Sequence, residues 1–303
     1  MLVKLTISSS AVMFIFYVVV LLTFSATHLQ GTPVQNVSTA FIDKQGLIDL
    51  TRFGERIYGH PDKAAGQKLS NLEAYEMLNP EELGPYLEGD LLIPHGQKLI
   101  YRNGLTAYSA RWPRGIVPYE IKGRFSQQEL AVIDNAFQEY HNKTCIRFKP
   151  RSNERDYVVI TGDSTGCWGS VGRLGGKQVV NLQPVSCFRK PGTPLHELMH
   201  ALGFVHEHNR HERDSYIRVL RQNVKNGMLF NFDKASPSEL YSYGVPYDYA
   251  SVMHYSKRSF SKNGQPTIEV LKQTSDSSLM GQRIGFSKGD IAKLNAMYKC
   301  KTQ

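Results

Sequence analysis

The chain contains no block of Lys and Arg. Its 36 basic residues outnumber 27 acidic ones and give a formal net charge of +9, but they are dispersed among polar and apolar residues. Without an interleaved aromatic motif of the kind that stacks on bases, that balance does not describe a nucleic-acid-binding surface. Apolar runs are short as well. Ala11–Leu22 holds 12 residues, where a spanning helix needs about 20, so no stable membrane anchor is expected. The glycine loop Gly172-Arg173-Leu174-Gly175-Gly176 lacks the strand–helix setting and the Lys-Ser/Thr pair of a phosphate cradle, and it reads as a hairpin turn. Cysteine is scarce, four in 303 residues, and three residues follow the last of them. Neither a cysteine-rich module nor a repeat is expected after the main body.

A content of 41% hydrophobic and 11% aromatic residues suffices for a packed core, and 303 residues allow one large domain or two modest ones. Lys4, the apolar run and the small residues Ser25-Ala26-Thr27 outline a signal peptide over residues 1–27. In a secreted, extracellular chain Cys145, Cys167, Cys187 and Cys300 form a disulfide set, for which the sequence alone permits three pairings. Asn36 and Asn142 stand in N-glycosylation acceptor sequences. Charge is uneven: residues 31–102 carry 7 Lys and Arg against 10 Asp and Glu, residues 103–303 carry 28 against 17. An acidic leader and a basic body attract each other. Residues 28–102 hold no long periodic helix and many turn formers, among them Asn79-Pro80 and Gly84-Pro85, as expected of a covering segment.

Three of the ten histidines fall in the stretch Thr193–Glu207. His196 and His200 are four residues apart, roughly 400° of rotation and about 6 Å of rise on an α-helix, so both imidazoles leave one face. Thr193 as N-cap and Pro194 in the first turn place the helix start just before His196. Gly203 supplies a left-handed residue that ends the helix, which lets His206 swing back and complete three nitrogen ligands with a position open for water. Glu197, in the second place of His-Glu-x-x-His, is the expected general base. His208 and His211 lie beside charged residues and are expected on the polar surface or in support of the site.

This stretch continues through Glu207, Arg210, Arg213 and Asp214, and Ser251-Val252-Met253-His254-Tyr255 follows 45 residues after His206. Together the two segments closely resemble the astacin family of zinc endopeptidases. The resemblance implies an α+β metzincin fold: a mixed β-sheet upper subdomain, a zinc-site helix and a loop-rich lower subdomain, preceded by a largely irregular propeptide. It further implies one Zn2+ per catalytic domain, Met253 packed beneath it, and Tyr255 as a catalytic residue in the position of the tyrosine that ligates zinc or swings out to assist the transition state. Cys145–Cys300 and Cys167–Cys187 are the implied disulfides, and Glu207 is expected to meet a new N-terminus through water. Leu87-Glu88-Gly89-Asp90 resembles the family's propeptide motif Phe-x-Gly-Asp, with Leu87 in the place of Phe, so Asp90 is expected to bind zinc in the zymogen only. Cleavage after Arg102 by a trypsin-like protease would make Asn103 the mature N-terminus. The chain then divides into a signal peptide 1–27, a propeptide 28–102 and a catalytic domain 103–303.

The expected function is that of a secreted zinc endopeptidase made as a zymogen, acting on extended polypeptide substrates gripped by the strand near Cys167-Trp168. The alternative is a catalytically silent secreted binding protein on the same fold; His196, Glu197, His200, His206 and Tyr255 are all present, which favours the enzyme. Elsewhere, strands are expected at Ile116–Ile121, Cys145–Lys149, Tyr157–Thr161, Gly166–Val171 and Gln178–Leu182. Ser126 with Glu129 opens a helix whose Leu130, Ile133 and Phe137 face inwards. Ser287 with Asp290 opens another from Lys288 to Tyr298, with Ile291 and Leu294 inwards.

Overall fold

A computed structural model describes residues 47–49, 51–71, 78–96, 108–235 and 242–301. The expected signal peptide, the Asn36 acceptor and the Arg102–Asn103 bond lie outside these described residues.

The leader forms short elements. Strand β1 (Leu47–Asp49) precedes β2 (Tyr58–Gly59), the eight-residue helix α1 (Lys63–Ser70) and β3 (Ile93–Pro94), which pairs parallel to β2. Asp62 caps α1 by accepting the Ala64 N–H at 2.7 Å. The body begins at β4 (Tyr108–Ala110), antiparallel to β1. It continues through β5 (Ile116–Ile121), α2 (Gln127–Lys143), β6 (Arg147–Pro150), β7 (Tyr157–Thr161), β8 (Cys167–Gly169) and β9 (Lys177–Leu182). Five of these strands make one mixed sheet in the order β6-β5-β7-β9-β8, parallel except for β8. The 172–176 loop is the turn of the β8–β9 hairpin, which leaves β8 at the sheet edge.

Parallel strands covered on both faces read as continuous apolar runs, and Val158, Val159 and Ile160 of β7 are all buried. Helix α2 is the crossover between β5 and β6. Its capping box is present, with the Ser126 N–H donating to Glu129 Oε2 at 2.7 Å. Ile133, Ala136, Phe137 and Tyr140 form its inner face, while Leu130, expected there, is half-buried at the first turn. Helix α3 (Gly192–Ala201) lies between α2 and the β8–β9 end of the sheet, and every one of its residues is buried. Beyond it the chain is mostly turns and 3-10 segments around a second apolar cluster of Ile217, Phe232, Tyr255, Phe260 and Ile268, with one two-stranded pair, β10 (Ile217–Val219) and β11 (Ile268–Val270). Helix α4 (Lys288–Met297) carries the second capping box, Ser287 with Asp290. Disulfides join Cys145 to Cys300 and Cys167 to Cys187, the first tying the region after α2 to the residues after α4.

The leader is packed into this body by more than apolar contact. Glu81 and Glu82 are buried, and the guanidinium of buried Arg283 meets Glu81 Oε1 at 2.5 Å. The Glu82 carboxylate accepts the Ser256 N–H at 2.7 Å and the Ser256 and Ser259 hydroxyls at 2.6 and 2.5 Å. Removing one partner of a buried pair strands the other charge, which costs about 3–5 kcal/mol. Arg283→Met should therefore destabilise the full chain by about that amount, and adding Glu81→Gln should recover most of it. Thermal denaturation of the single and double variants checks this; an Arg283→Met chain as stable as wild type would contradict it.

Candidate active site

Helix α3 starts earlier than its sequence suggests. Pro191 is its N-cap and Gly192 its first residue, because the Gly192 N–H is taken by the Arg283 carbonyl at 2.7 Å and a Cβ there would fall 2.4 Å from the Arg283 carbonyl carbon. Thr193, expected as the cap, instead donates its hydroxyl to Glu81 Oε2 at 3.1 Å. The helix ends in a Schellman motif. Gly203 is left-handed at φ 107°, its N–H donates to the His200 carbonyl at 2.8 Å, and the Phe204 N–H donates to the Met199 carbonyl at 3.2 Å. The chain reverses there, and His206 returns beside the other two imidazoles. Ring centroids lie 4.6 Å apart for His196 and His200, 4.9 Å for His200 and His206, and 5.2 Å for His196 and His206.

Each of the three rings is oriented through Nδ1. His196 Nδ1 faces the Val252 carbonyl at 2.8 Å, His200 Nδ1 the Phe204 carbonyl at 2.7 Å and His206 Nδ1 the Glu88 carboxylate at 2.8 Å. Oxygens there call for Nδ1–H donors, so the Nε2 lone pairs point inwards. They converge on Asp90, whose Oδ2 is 3.0 Å from His196 Nε2 and 3.2 Å from His206 Nε2, and whose Oδ1 is 3.5 Å from His200 Nε2. All four side chains are buried, and their ligand atoms lie within 4.8 Å of one another. Acceptor nitrogens and a carboxylate that face each other in an apolar interior need a cation between them, and three imidazoles with one carboxylate are a zinc donor set. With protons alone the cluster meets that need at His206. Burial works against its charge, but Asp90 and Glu88 outweigh it and raise the imidazole to about 9. Burial likewise opposes ionisation of Asp90, yet the neighbouring His206 and His200 hold its carboxyl well below the usual range.

Glu197 sits beside this cluster against the edge strand. A Cβ on Gly169 of β8 would come 3.4 Å from Glu197 Oε2. Both of its carboxylate oxygens, like Asp90 Oδ1, are buried without a hydrogen-bond partner among the described residues, which leaves them available to a small polar ligand at the metal. Burial pushes the Glu197 carboxyl well above its ordinary range, and the charges of Asp90 and Glu81 push it further.

The 251–255 turn is tied to the site by hydrogen bonds. Its Ser251 hydroxyl and Val252 N–H donate to the Asp290 carboxylate at 2.6 and 2.8 Å, so the capping residue of α4 also holds the carbonyl that orients His196. Met253 is buried and its carbonyl accepts the Glu207 N–H at 2.9 Å, tying the third histidine's loop to the turn. His254 is buried between Tyr247 and its own backbone, with Nε2 2.7 Å from the Tyr247 hydroxyl and Nδ1 2.8 Å from the Tyr255 carbonyl. The Tyr255 ring is buried, and its hydroxyl donates to the Glu88 carbonyl at 2.6 Å. His208, read as polar surface or support, is buried in the second of those roles, stacked on Tyr255 with centroids 3.6 Å apart; His211 is exposed. Glu207 is buried and bound by Lys293 at 2.7 Å, Arg210 at 2.8 Å and the Asp248 N–H at 3.0 Å. Asn103, its expected partner, lies outside the described residues. Asn142 is exposed at the end of α2.

Four contributors were not legible in the sequence. Glu88 stands inside Leu87-Glu88-Gly89-Asp90, a motif that singles out only Asp90; Glu81, Arg283 and Lys293 carry no local signal beyond the spacing of Lys293 three residues after the capping Asp290.

The leader also occupies the sheet edge. The Leu92 N–H donates to the Gly169 carbonyl at 3.1 Å and the Gly169 N–H to the Asp90 carbonyl at 2.9 Å, with Leu91 and Gly169 in parallel register. Among the described residues no helix is long and apolar enough to cross a membrane.

Comparison with known proteins accords with this geometry. A family model described as Astacin, a peptidase family, matches residues 104–299. Zinc metalloproteinase nas-8 of Steinernema carpocapsae is 44% identical over 202 residues, 66% of this chain and 47% of that protein. Zinc metalloproteinase nas-4 of Caenorhabditis elegans is 42% identical over 226 residues, 72% of this chain and 70% of that protein. The match to nas-8 thus spans about half of that relative's length. Among solved structures, high choriolytic enzyme 1, a hatching enzyme zinc-protease from the medaka fish Oryzias latipes, aligns with a TM-score of 0.57 at 36% identity, over 64% of this chain and 94% of that one. A mixed sheet, a zinc-site helix ended by glycine, a third histidine returning to it and a family match over most of the body lead to one conclusion: the chain belongs to the astacin family of zinc metalloproteinases.

Proposed function

We propose that this chain is the precursor of a secreted zinc endopeptidase, with a signal peptide at 1–27, a latency segment at 28–102 and a catalytic domain at 103–303. The observation that carries the reading is the meeting of His196, His200 and His206 with a leader carboxylate, Asp90, beside Glu197. His196, His200 and His206 would hold a zinc ion, which when bound would supply a Lewis acid able to lower the pKa of a water towards about 7 and polarise a carbonyl.

The chain's own residues do the rest. Glu197 accepts the proton of the attacking water and returns it to the leaving amine. Tyr255, whose phenol burial keeps protonated, donates to the oxyanion once its hydroxyl is freed from the Glu88 carbonyl. Edge strand β8 offers its Gly169 N–H and carbonyl to an extended peptide when residues 90–92 have left, so main chain is gripped by sheet extension. Asp90 keeps the precursor latent by taking the position that water requires. A trypsin-like protease cutting after Arg102 would end that state, and the freed N-terminus at Asn103 would order near Glu207.

Glu197→Gln should leave zinc bound, because no ligand changes, and should lower peptide hydrolysis by several orders of magnitude; near-normal turnover in a zinc-loaded variant would sink the mechanism. Tyr255→Phe should cost about 10²–10³ in rate while the ring keeps its packing on His208, and an unchanged kcat would remove the oxyanion role. Asp90→Ala should give measurable peptidase activity from the uncut precursor. If that precursor stays as inert as the wild type, latency is steric and the aspartate is not the switch.

A further inference from the structure

Asp90 is accompanied at the site by a second leader carboxylate. Glu88 Oε2 lies 2.8 Å from His206 Nδ1, with 3% of the Glu88 side chain and none of the His206 ring exposed. The same residue is held twice more: its N–H donates to Asn231 Oδ1 at 2.8 Å and its carbonyl accepts the Tyr255 hydroxyl at 2.6 Å. Its backbone is left-handed at φ 49°, followed by Gly89 at φ 88°. A non-glycine residue keeps such a conformation only where its surroundings enforce it. Here the paired left-handed residues turn Glu88 and Asp90 onto opposite nitrogens of one ring, Glu88 onto Nδ1 and Asp90 Oδ2 onto Nε2 at 3.2 Å. His196 and His200 give Nδ1 to main-chain carbonyls of the body, Val252 and Phe204. Of the three imidazoles, His206 is the one oriented by the leader, and the one oriented by a carboxylate.

We propose that Glu88 is a positioning residue for the metal: it fixes His206 and strengthens it as a donor, so the precursor holds zinc more tightly than the chain freed of its leader. This inference rests on the zinc-endopeptidase reading above. A carboxylate that accepts Nδ1–H locks the tautomer and raises the basicity of Nε2, and loss of such a partner typically costs 10–100-fold in metal affinity. Departure of the leader removes Asp90 and Glu88 together. The open position needed for hydrolysis is gained at the same moment that the third imidazole loses its carboxylate, so the leader retains the metal while the enzyme is latent.

The test uses the full-length chain, stripped of metal with a chelator and titrated with zinc against a fluorescent zinc indicator. Glu88→Ala should raise the zinc Kd about 10–100-fold. Glu88→Gln, which keeps the size and an acceptor oxygen but not the charge, should fall between it and wild type, and cobalt-loaded samples should show a matching change in visible absorption. Because Glu88→Gln preserves the backbone contacts, it answers the question even where Glu88→Ala fails to fold. A Kd within twofold of wild type in Glu88→Gln and in any folded Glu88→Ala, with unchanged cobalt spectra, would overturn the inference while leaving the peptidase reading intact. A wild-type chain that binds no zinc would overturn both.

Discussion

Three imidazole nitrogens brought together in an apolar interior repel one another unless positive charge lies between them, and much of this structure follows from imposing that arrangement. Two of the nitrogens come from one turn of α3, which is buried along its whole length. The third requires the helix to stop within a turn, and a left-handed glycine with two Schellman hydrogen bonds does so. Each ring is then prevented from rotating by an oxygen on its far nitrogen. Those oxygens come from three places in the chain, Val252, Phe204 and Glu88, so the site's geometry depends on the Met253 turn, the α3 terminus and the leader together.

The leader is built as a counterpart to this site rather than as a cover laid over it. It brings carboxylates to polar and charged groups of the body: Asp90 to the imidazoles, Glu88 to the back of His206, Glu81 to Arg283. It also satisfies the edge of the sheet through residues 90–92. The edge contact uses the Gly169 N–H and carbonyl that the proposed mature enzyme would turn to substrate, and Asp90 faces the nitrogens that would hold its metal, so latency and catalysis would share those atoms. The body keeps a separate ionic centre of its own, Glu207 with Lys293 and Arg210, behind the third histidine. There burial opposes the charge on Glu207, but the two cations hold its carboxyl below the ordinary range.

Features set by local chemistry were legible in the sequence. Both capping boxes, the strands Ile116–Ile121 and Tyr157–Thr161 and the 172–176 hairpin turn involve residues a few positions apart. The histidine spacing belongs to the same class, since helix periodicity alone aligns the first two rings. What was missed depends on partners far away in sequence. Thr193 has the composition of an N-cap, but Glu81 takes its hydroxyl and the Arg283 carbonyl draws the helix start back to Gly192. The turn-rich leader nevertheless contains helix α1, capped by Asp62. Lys293 carries no local signal of its burial, which depends on Glu207, 86 residues away. Residue type marked the ligands; only the fold could show what orients them.

Zinc K-edge X-ray absorption of the zinc-loaded full-length chain tests the central claim most directly. The account requires three imidazoles at about 2.0–2.1 Å and one carboxylate oxygen at about 2.0–2.2 Å, with the oxygen shell altered and the imidazole shell kept in Asp90→Asn. Fewer than three imidazoles, a sulfur neighbour, or a spectrum indifferent to Asp90→Asn would contradict it.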